Sequence, residues 1–135
     1  MDSPEQELSA VIGVGTDLAD VARIKKLVEK YGEAFLKRTF TPAEIAYCGR
    51  FADAATHYAA RFAAKEAMAK ALGTGFSEGI TPLGLSLEND PETSAPKAVL
   101  DGAAREKMRS LGASKMLVSI SHLKDYAQAF AVLAK

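Results

Sequence analysis

The amino-acid sequence predicts a single α+β domain over residues 1–135, with a sheet built largely from antiparallel pairs. Three observations favour this class: a short β-branched strand near the start, a long helical segment free of Gly and Pro in the middle, and two apolar segments around a turn at the end. A chain of 135 residues can bury one hydrophobic core without disulfides or a structural metal.

Composition excludes several classes of protein. Lys and Arg total 17, as do Asp and Glu, so binding to nucleic acid through bulk positive charge is not expected. No apolar stretch approaches the roughly 20 residues of a membrane helix. Residues 1–7 are acidic, unlike a signal peptide, and the single Cys48 forms no internal disulfide. We therefore expect a cytoplasmic protein without a membrane partner.

The first strand is expected at 11–18, after a loose polar lead-in at 1–9. The segment is short, apolar and rich in β-branched residues. Gly13 and Gly15 within it indicate a close approach of the strand backbone to another element.

A helix is predicted at 21–31, ending at Gly32, because apolar residues recur at helical spacing and a glycine follows. Either Asp17 or Asp20 is a suitable N-cap. The predicted buried face comprises Ile24, Leu27, Val28 and Tyr31.

Two more helices follow. Thr41 as the cap, Pro42 at the first position and Glu44 at the third predict the start of a short helix at 43–50. The longest helix is predicted at 55–72, where the sequence is rich in Ala.

The second half of the chain is expected to hold two strand pairs and a helix. The predicted strands of the first pair are 83–88 and 98–100, and the helix is 102–110. The segments 115–122 and 126–133 form a terminal hairpin of apolar strands.

Four charged side chains are spread around the long helix. Glu66 and Lys70 share one face at i, i+4 spacing, and Arg61 and Lys65 share another. Because an amphipathic helix normally segregates its charges, one interpretation is a central helix with some charges pointing into a site. The alternative is a surface ion pair between Glu66 and Lys70, which contributes little to stability.

Asp17 and Glu66 are the candidates for a metal site. A carboxylate at a strand end often binds a hard cation, although Asp17 alone is better explained as a helix cap. Glu66 is the second carboxylate that a Mg²⁺ site with substrate phosphates and waters requires.

The loop Gly73-Thr74-Gly75 is a weaker candidate for a phosphate contact. Backbone amides of a Gly loop can cradle phosphate oxygens, and Lys70 lies one turn earlier. This loop follows a helix, however, so the helix dipole has the wrong sign for an anion, and a simple C-cap is the alternative. His122, beside a turn, is a further possible contact for an anionic ligand.

Four motifs occur along the chain in order. They are GVGTDL at 13–18, FTPAE at 40–44, RFAAKEAMAKALGTG at 61–75 and VSISH at 118–122. Together they resemble the holo-[acyl carrier protein] synthases, the small bacterial type of 4′-phosphopantetheinyl transferase, over residues 11–133. The resemblance implies the fold of that family, an antiparallel sheet around a central helix, and a trimer with sites at subunit interfaces.

The resemblance also implies an activity. Such enzymes transfer the phosphopantetheine arm of coenzyme A to a serine of apo acyl carrier protein, releasing adenosine 3′,5′-bisphosphate, in fatty acid biosynthesis. By the same resemblance Asp17 and Glu66 would hold Mg²⁺ and Lys70 would contact the phosphates, and these three are the implied catalytic residues. The further implied ligands of coenzyme A are Arg61, Gly73, Thr74, Gly75 and His122.

Basic residues of the helix at 21–31 are candidates for partner docking. Arg23, Lys26 and Lys30 lie on neighbouring turns, and the resemblance implies an acidic carrier protein that they would steer and dock. The alternative is a solvated helix face. Two other functions remain open: a non-catalytic subunit that binds coenzyme A or a nucleotide, and a protein that uses this helix only as an interaction surface.

Overall fold

The computed structural model describes residues 10–135, so the polar lead-in at 1–9 lies outside the described residues. In chain order the elements are β1 (Val11–Asp20), α1 (Val21–Tyr31), α2 (Glu33–Thr39), α3 (Pro42–Cys48), α4 (Ala54–Ala71), β2 (Leu85–Asn89), β3 (Pro96–Leu100), α5 (Gly102–Ser110), β4 (Lys115–His122) and β5 (Tyr126–Ala134). Every predicted element is present, with its bounds shifted by no more than two residues. Across residues 10–135, no helix is both long and apolar enough to cross a membrane.

The strands form two antiparallel sheets, as the sequence predicted. One is three-stranded in the order β1-β5-β4, and the other is the β2-β3 pair. The terminal hairpin is β4–β5, with His122 opposite Ala127. β1 pairs along the other edge of β5, where Asp17 lies opposite Ala129. The first and last strands of the chain are therefore neighbours.

Small residues allow α4 to lie close to this sheet. The alternating buried alanines of β5 are Ala127, Ala129 and Ala131. A side chain at Gly15 would overlap the Ala67 carbonyl oxygen, and one at Gly13 would overlap that of Ala71. The predicted close backbone approach is thus confirmed. Because side chains alternate along a strand, Asp17 faces α4 as these glycines do.

Two expectations about the first helices were wrong or incomplete. The helix α2 was not predicted, because its seven residues are too few to show a helical period; Gly32, with a φ of 55°, turns the chain between α1 and α2. Tyr31 is 48% exposed rather than buried, and the Lys30 ammonium lies 5.2 Å from its ring centroid. The buried face of α1 lies nearer its start, at Val21 and Ile24.

Candidate functional site

Two carboxyl groups meet where β1 passes α4. The Asp17 side chain is 13% exposed, and Glu66, on α4, is half-buried. The two carboxyl groups lie close enough to interact, and the pKa of Glu66 is raised above its ordinary value. Burial is the largest cause, and the negative charge of Asp17 is the next. The pair therefore holds electrostatic repulsion that a bound cation would relieve.

Of the two N-caps that the sequence allowed for α1, the structure uses Asp20. Its Oδ1 accepts a hydrogen bond from the backbone N–H of Arg23 at 3.2 Å. The Asp17 side chain is thereby left for the carboxyl pair. A small cavity of about 60 Å³ adjoins the pair, and its lining is Asp17, Leu18, Ala19, Asp20, Arg23, Ile24, Phe62 and Glu66.

Lys70 brings a positive charge to Asp17. Its Nζ donates to Asp17 Oδ1 at 3.1 Å and to the Thr16 carbonyl oxygen at 3.0 Å. The Lys70 side chain is still 51% exposed. The ion pair on this face is therefore Lys70–Asp17, and not the Glu66–Lys70 pair that the helical spacing suggested.

Arg61 belongs to a different side of α4. It precedes Glu66 by five residues, which is a rotation of about 140° around the helix axis. Its guanidinium carbon lies 4.1 Å from the centroid of the Tyr47 ring, and its Nη2 donates to Asn89 Oδ1. Arg61 is 4% exposed, yet its Nε has no hydrogen-bond partner among residues 10–135. Most buried donors in proteins have a partner, so the environment of Arg61 is unusual.

An aromatic group connects Arg61 with His122. The Tyr47 ring contacts the rings of Phe51 and His57, and Phe51 stacks on His57 with centroids 3.7 Å apart. The imidazoles of His57 and His122 meet edge to face at 5.5 Å. The structure thus gathers Arg61 and His122 around one aromatic group, apart from the carboxyl pair.

The loop Gly73-Thr74-Gly75 forms the C-cap of α4. The amides of Thr74 and Gly75 both donate to the Ala69 carbonyl oxygen at 3.2 Å, and that of Gly73 donates to Lys70 at 2.9 Å. The Thr74 hydroxyl donates to the Gly75 carbonyl oxygen. Because these donors already have partners, the loop has the C-cap arrangement and not that of a free phosphate cradle.

Lys65, which shares a face with Arg61, lies in the core and not in the site. Its Nζ is 2.7 Å from Glu44 Oε1, and both side chains are 0% exposed. Glu44 also closes the predicted capping box with Thr41 at the start of α3. Burial lowers the pKa of Lys65, and the negative charge of Glu44 opposes that shift.

The three expected docking residues lie on one exposed side of α1. Arg23, Lys26 and Lys30 are spaced at i, i+3 and i+7 and are all exposed. Arg23 also lines the cavity beside the carboxyl pair, and its charge lowers the pKa of Glu66. The basic side of α1 is therefore continuous with that cavity.

The sequence analysis missed two partners of Arg61. Tyr47 showed only as a helix residue and Asn89 only as a turn residue, and no local pattern joins either to a position so distant in the chain. For Glu44 a signal existed, because a lysine inside a tract of buried alanines requires a buried partner.

The chain is similar to proteins of one known family. The family model described as the 4′-phosphopantetheinyl transferase superfamily matches residues 13–131. A holo-[acyl-carrier-protein] synthase of Solibacter usitatus is 42% identical over 123 residues, covering 91% of this chain and 98% of the relative.

Solved structures give the same assignment. The holo-[acyl-carrier-protein] synthase of Neisseria meningitidis matches with a TM-score of 0.85 and 33% identity, covering 93% of this chain and 99% of that one. The Helicobacter pylori synthase in complex with coenzyme A matches with a TM-score of 0.79 and 33% identity, covering 90% and 99%. The chain therefore belongs to the holo-[acyl-carrier-protein] synthase family of phosphopantetheinyl transferases, as the four motifs had indicated.

Proposed function

We propose that the protein transfers the 4′-phosphopantetheine arm of coenzyme A to a serine of an apo acyl carrier protein, in fatty acid biosynthesis in the cytoplasm, and releases adenosine 3′,5′-bisphosphate. The observation that carries this proposal is the close approach of the Asp17 and Glu66 carboxyl groups, with Lys70 paired to Asp17. The names of the relatives support it, since one of these synthases was solved in complex with coenzyme A.

Asp17 and Glu66 fit a hard divalent cation. Mg²⁺ is commonly held by one or two carboxylates together with substrate phosphates. Support comes from the position of the two carboxyl groups beside each other and from the raised pKa of Glu66, which burial causes first and the negative charge of Asp17 second. Bound there, Mg²⁺ would neutralise charge on the diphosphate of coenzyme A.

Lys70 is proposed to bind the substrate phosphates. An ammonium group has three donors, and two of those of Lys70 are engaged by Asp17 and Thr16. The third has no hydrogen-bond partner among residues 10–135 and can meet a phosphate oxygen. In phosphoryl transfer the protein contributes mainly positioning and charge, so this contact gives Lys70 a catalytic role together with Asp17 and Glu66.

Arg61 and His122 are proposed as further ligands of coenzyme A. Support for this assignment comes from the place of Arg61 in the wall of a cavity of about 290 Å³ and from the contact of His122 with the same aromatic group. The amides of Gly73, Thr74 and Gly75 are engaged by α4. We therefore place coenzyme A binding on side chains and not on the amides of this loop.

We propose that three copies assemble, with sites at the subunit interfaces. On the sheet face opposite α4, Val14, Leu18 and Leu117 are all more than half exposed. An apolar face of this kind is normally covered by a partner. Sedimentation at micromolar concentration is expected to give a trimer, and a monomer would contradict the proposal.

The exposed basic side of α1 is proposed to dock the acidic carrier protein. Reversing the charge of Lys26 or Lys30 to Glu is expected to raise the KM for carrier protein about three- to tenfold, because steering and docking weaken, while the KM for coenzyme A stays constant. Lys25→Glu, on another side of the helix, is the matched control. Equal damage to both KM values would argue against docking.

Mass spectrometry of apo carrier protein tests the activity directly. Incubation with the protein, coenzyme A and Mg²⁺ is expected to add the mass of one phosphopantetheine arm. The addition should disappear in Asp17→Ala and Glu66→Ala. A carrier protein of unchanged mass with the unaltered enzyme would refute the proposed function.

A further inference from the structure

The inference concerns what holds Arg61 in place, and it rests on the proposed role of Arg61 in coenzyme A binding. Arg61 is 4% exposed, and its guanidinium lies against the Tyr47 ring. A cavity of about 290 Å³ opens beside it, lined by Ala43, Tyr47, Arg61, Leu87, Glu88 and Asn89. Within the part of the chain that the structure describes, Arg61 Nε has no partner. The side chain is therefore held firmly in the wall of this cavity.

Asn89 is fixed at both ends of its amide. The oxygen Oδ1 accepts from Arg61 Nη2, and the nitrogen Nδ2 donates to the Ser94 carbonyl oxygen at 3.0 Å. Because the oxygen and the nitrogen each have a partner of the right kind, the amide has one favourable orientation. That orientation presents an acceptor to Arg61.

The position of Asn89 is set in turn by the strand β2, which a buried ion pair fastens to α4. Lys65 Nζ donates to Glu44 Oε1 and to the carbonyl oxygens of Pro82 and Leu85 at 2.8 Å and 3.1 Å. Glu44 Oε2 accepts from the backbone N–H of Leu87 at 3.1 Å. These bonds fix the first half of β2, and Asn89 is the last residue of the same strand.

Arg61 and Lys65 lie one turn apart on the same side of α4. Lys65 bonds the beginning of β2, and Arg61 bonds its end through Asn89. The two contacts together define where β2 lies along the helix. They differ in one respect: the partner of Lys65 is a carboxylate, whereas the partner of Arg61 is a neutral amide.

We propose that Asn89 is the positioning residue for Arg61, with its place set by the buried Glu44–Lys65 pair. A neutral amide orients the guanidinium without cancelling its charge, so the full positive charge remains directed at an anionic ligand. A carboxylate in the same place would also accept from Arg61, but it would neutralise the guanidinium and could not donate to the Ser94 carbonyl oxygen.

Calorimetric titration with coenzyme A in Mg²⁺ buffer tests this without turnover. Asn89→Ala is expected to raise the Kd about tenfold, since a hydrogen bond to a charged group is lost. Asn89→Asp keeps an acceptor for Arg61, and it is expected to weaken binding as well, because it cancels the charge. Ser86→Ala, on the same strand and outside the cavity, is the control and should bind normally.

The double variant Arg61→Ala/Asn89→Ala separates positioning from general damage. If Asn89 acts through Arg61, the double variant binds coenzyme A no more weakly than Arg61→Ala alone. A full additional loss would show independent effects and overturn the inference, as would normal binding by Asn89→Asp. If Asn89→Ala fails to fold, Asn89→Asp still decides the question.

The test distinguishes this inference from the proposed function. Loss of binding in Arg61→Ala without a further loss in the double variant supports the inference even if no transfer to a carrier protein is detected. Transfer by the unaltered enzyme together with unchanged binding in both Asn89 variants would overturn the inference and leave the proposed function standing.

Discussion

Two lysines five residues apart on α4 each form an ion pair with a carboxylate, and the two pairs differ in burial and in their surroundings. The Lys65–Glu44 pair is 0% exposed on both sides at 2.7 Å. In the Lys70–Asp17 pair, at 3.1 Å, the lysine side chain is 51% exposed. The first pair lies among buried alanines, and the second at the edge of a cavity.

The two pairs also differ in how many of the lysine's hydrogen-bond donors are used and in how many carboxyl groups lie nearby. Lys65 uses all three donors, on Glu44, Pro82 and Leu85. Around Lys70, by contrast, one lysine faces Asp17 while Glu66 adds a second carboxyl group. Lys65–Glu44, the closed pair, therefore stabilises the fold. Lys70–Asp17, the open pair, lies beside a further carboxyl group and can bind a ligand.

Breaking the closed pair should have the largest effect. Lys65→Met removes the countercharge of buried Glu44 and two hydrogen bonds to carbonyl oxygens, so we expect a loss of about 3–5 kcal/mol in the free energy of unfolding. Urea denaturation measures it. Lys70→Met, at the exposed pair, is the matched control, with an expected loss below about 1 kcal/mol. Equal losses would remove the distinction between the two pairs.

A change at Glu66, beside the open pair, should reduce the activity and leave the stability unharmed. Glu66→Gln keeps the shape of the side chain and removes its charge, so transfer to carrier protein is expected to slow roughly 10²–10³-fold. Because repulsion with Asp17 is also relieved, the free energy of unfolding should stay constant or rise. A transfer assay and urea denaturation on the same preparation check both. If Glu66→Gln loses stability and keeps its activity, Glu66 has a structural role and not a catalytic one.

Lys70→Met should reduce the activity less than Glu66→Gln does. The loss of one phosphate contact is expected to reduce kcat/KM for coenzyme A about ten- to a hundredfold. Lys70→Arg keeps the charge and should recover part of the rate, although its planar head fits the place of an ammonium imperfectly. Steady-state kinetics with coenzyme A varied measure both variants. No loss in Lys70→Met would exclude Lys70 from the phosphates.

The pair His57–Asp53, at the start of α4, should have the smallest effect, which is a change in how stability depends on pH. Its atoms are 3.6 Å apart. The pKa of His57 is lowered from its ordinary value of 6.5, mainly by burial, with Asp53 acting in the opposite direction. Below pH 6.5 the unfolded chain therefore binds the proton more readily than the folded one, and stability falls as the pH falls.

Replacing His57 by Phe should remove this contribution. The urea midpoint of the unaltered protein is expected to drop further between pH 7.5 and pH 5.5 than that of His57→Phe, because only the former has this imidazole to protonate. Identical slopes would show that His57 titrates alike in the folded and unfolded states.

Much of the fold could be predicted because its signals are local. The capping box of Thr41 and Glu44 lies within four residues and placed the start of α3 correctly. Gly13 and Gly15 indicated a close approach, although nothing in the sequence named α4 as the neighbour. The helix α2 was missed because a seven-residue helix carries no complete pattern.

The sequence predicted which residues belong to the candidate site, but not how they are grouped in space. The four motifs named Asp17, Glu66 and Lys70, and the fold brings these three together. The same motifs named Arg61 and His122, which the fold places around a different group of side chains. A motif carries residue identity, and it does not say on which side of a helix two of its members will act.

By itself, the sequence determined the order of the elements, the antiparallel pairing and the membership in a family, because capping, periodicity and motifs act over a few residues. Only the tertiary structure decided the partners of the charged residues on α4. Lys65 meets Glu44 across 21 positions, Arg61 meets Asn89 across 28 and Lys70 meets Asp17 across 53. Such contacts depend on how β1, β2 and α3 pack against α4, and that packing is a property of the whole buried core.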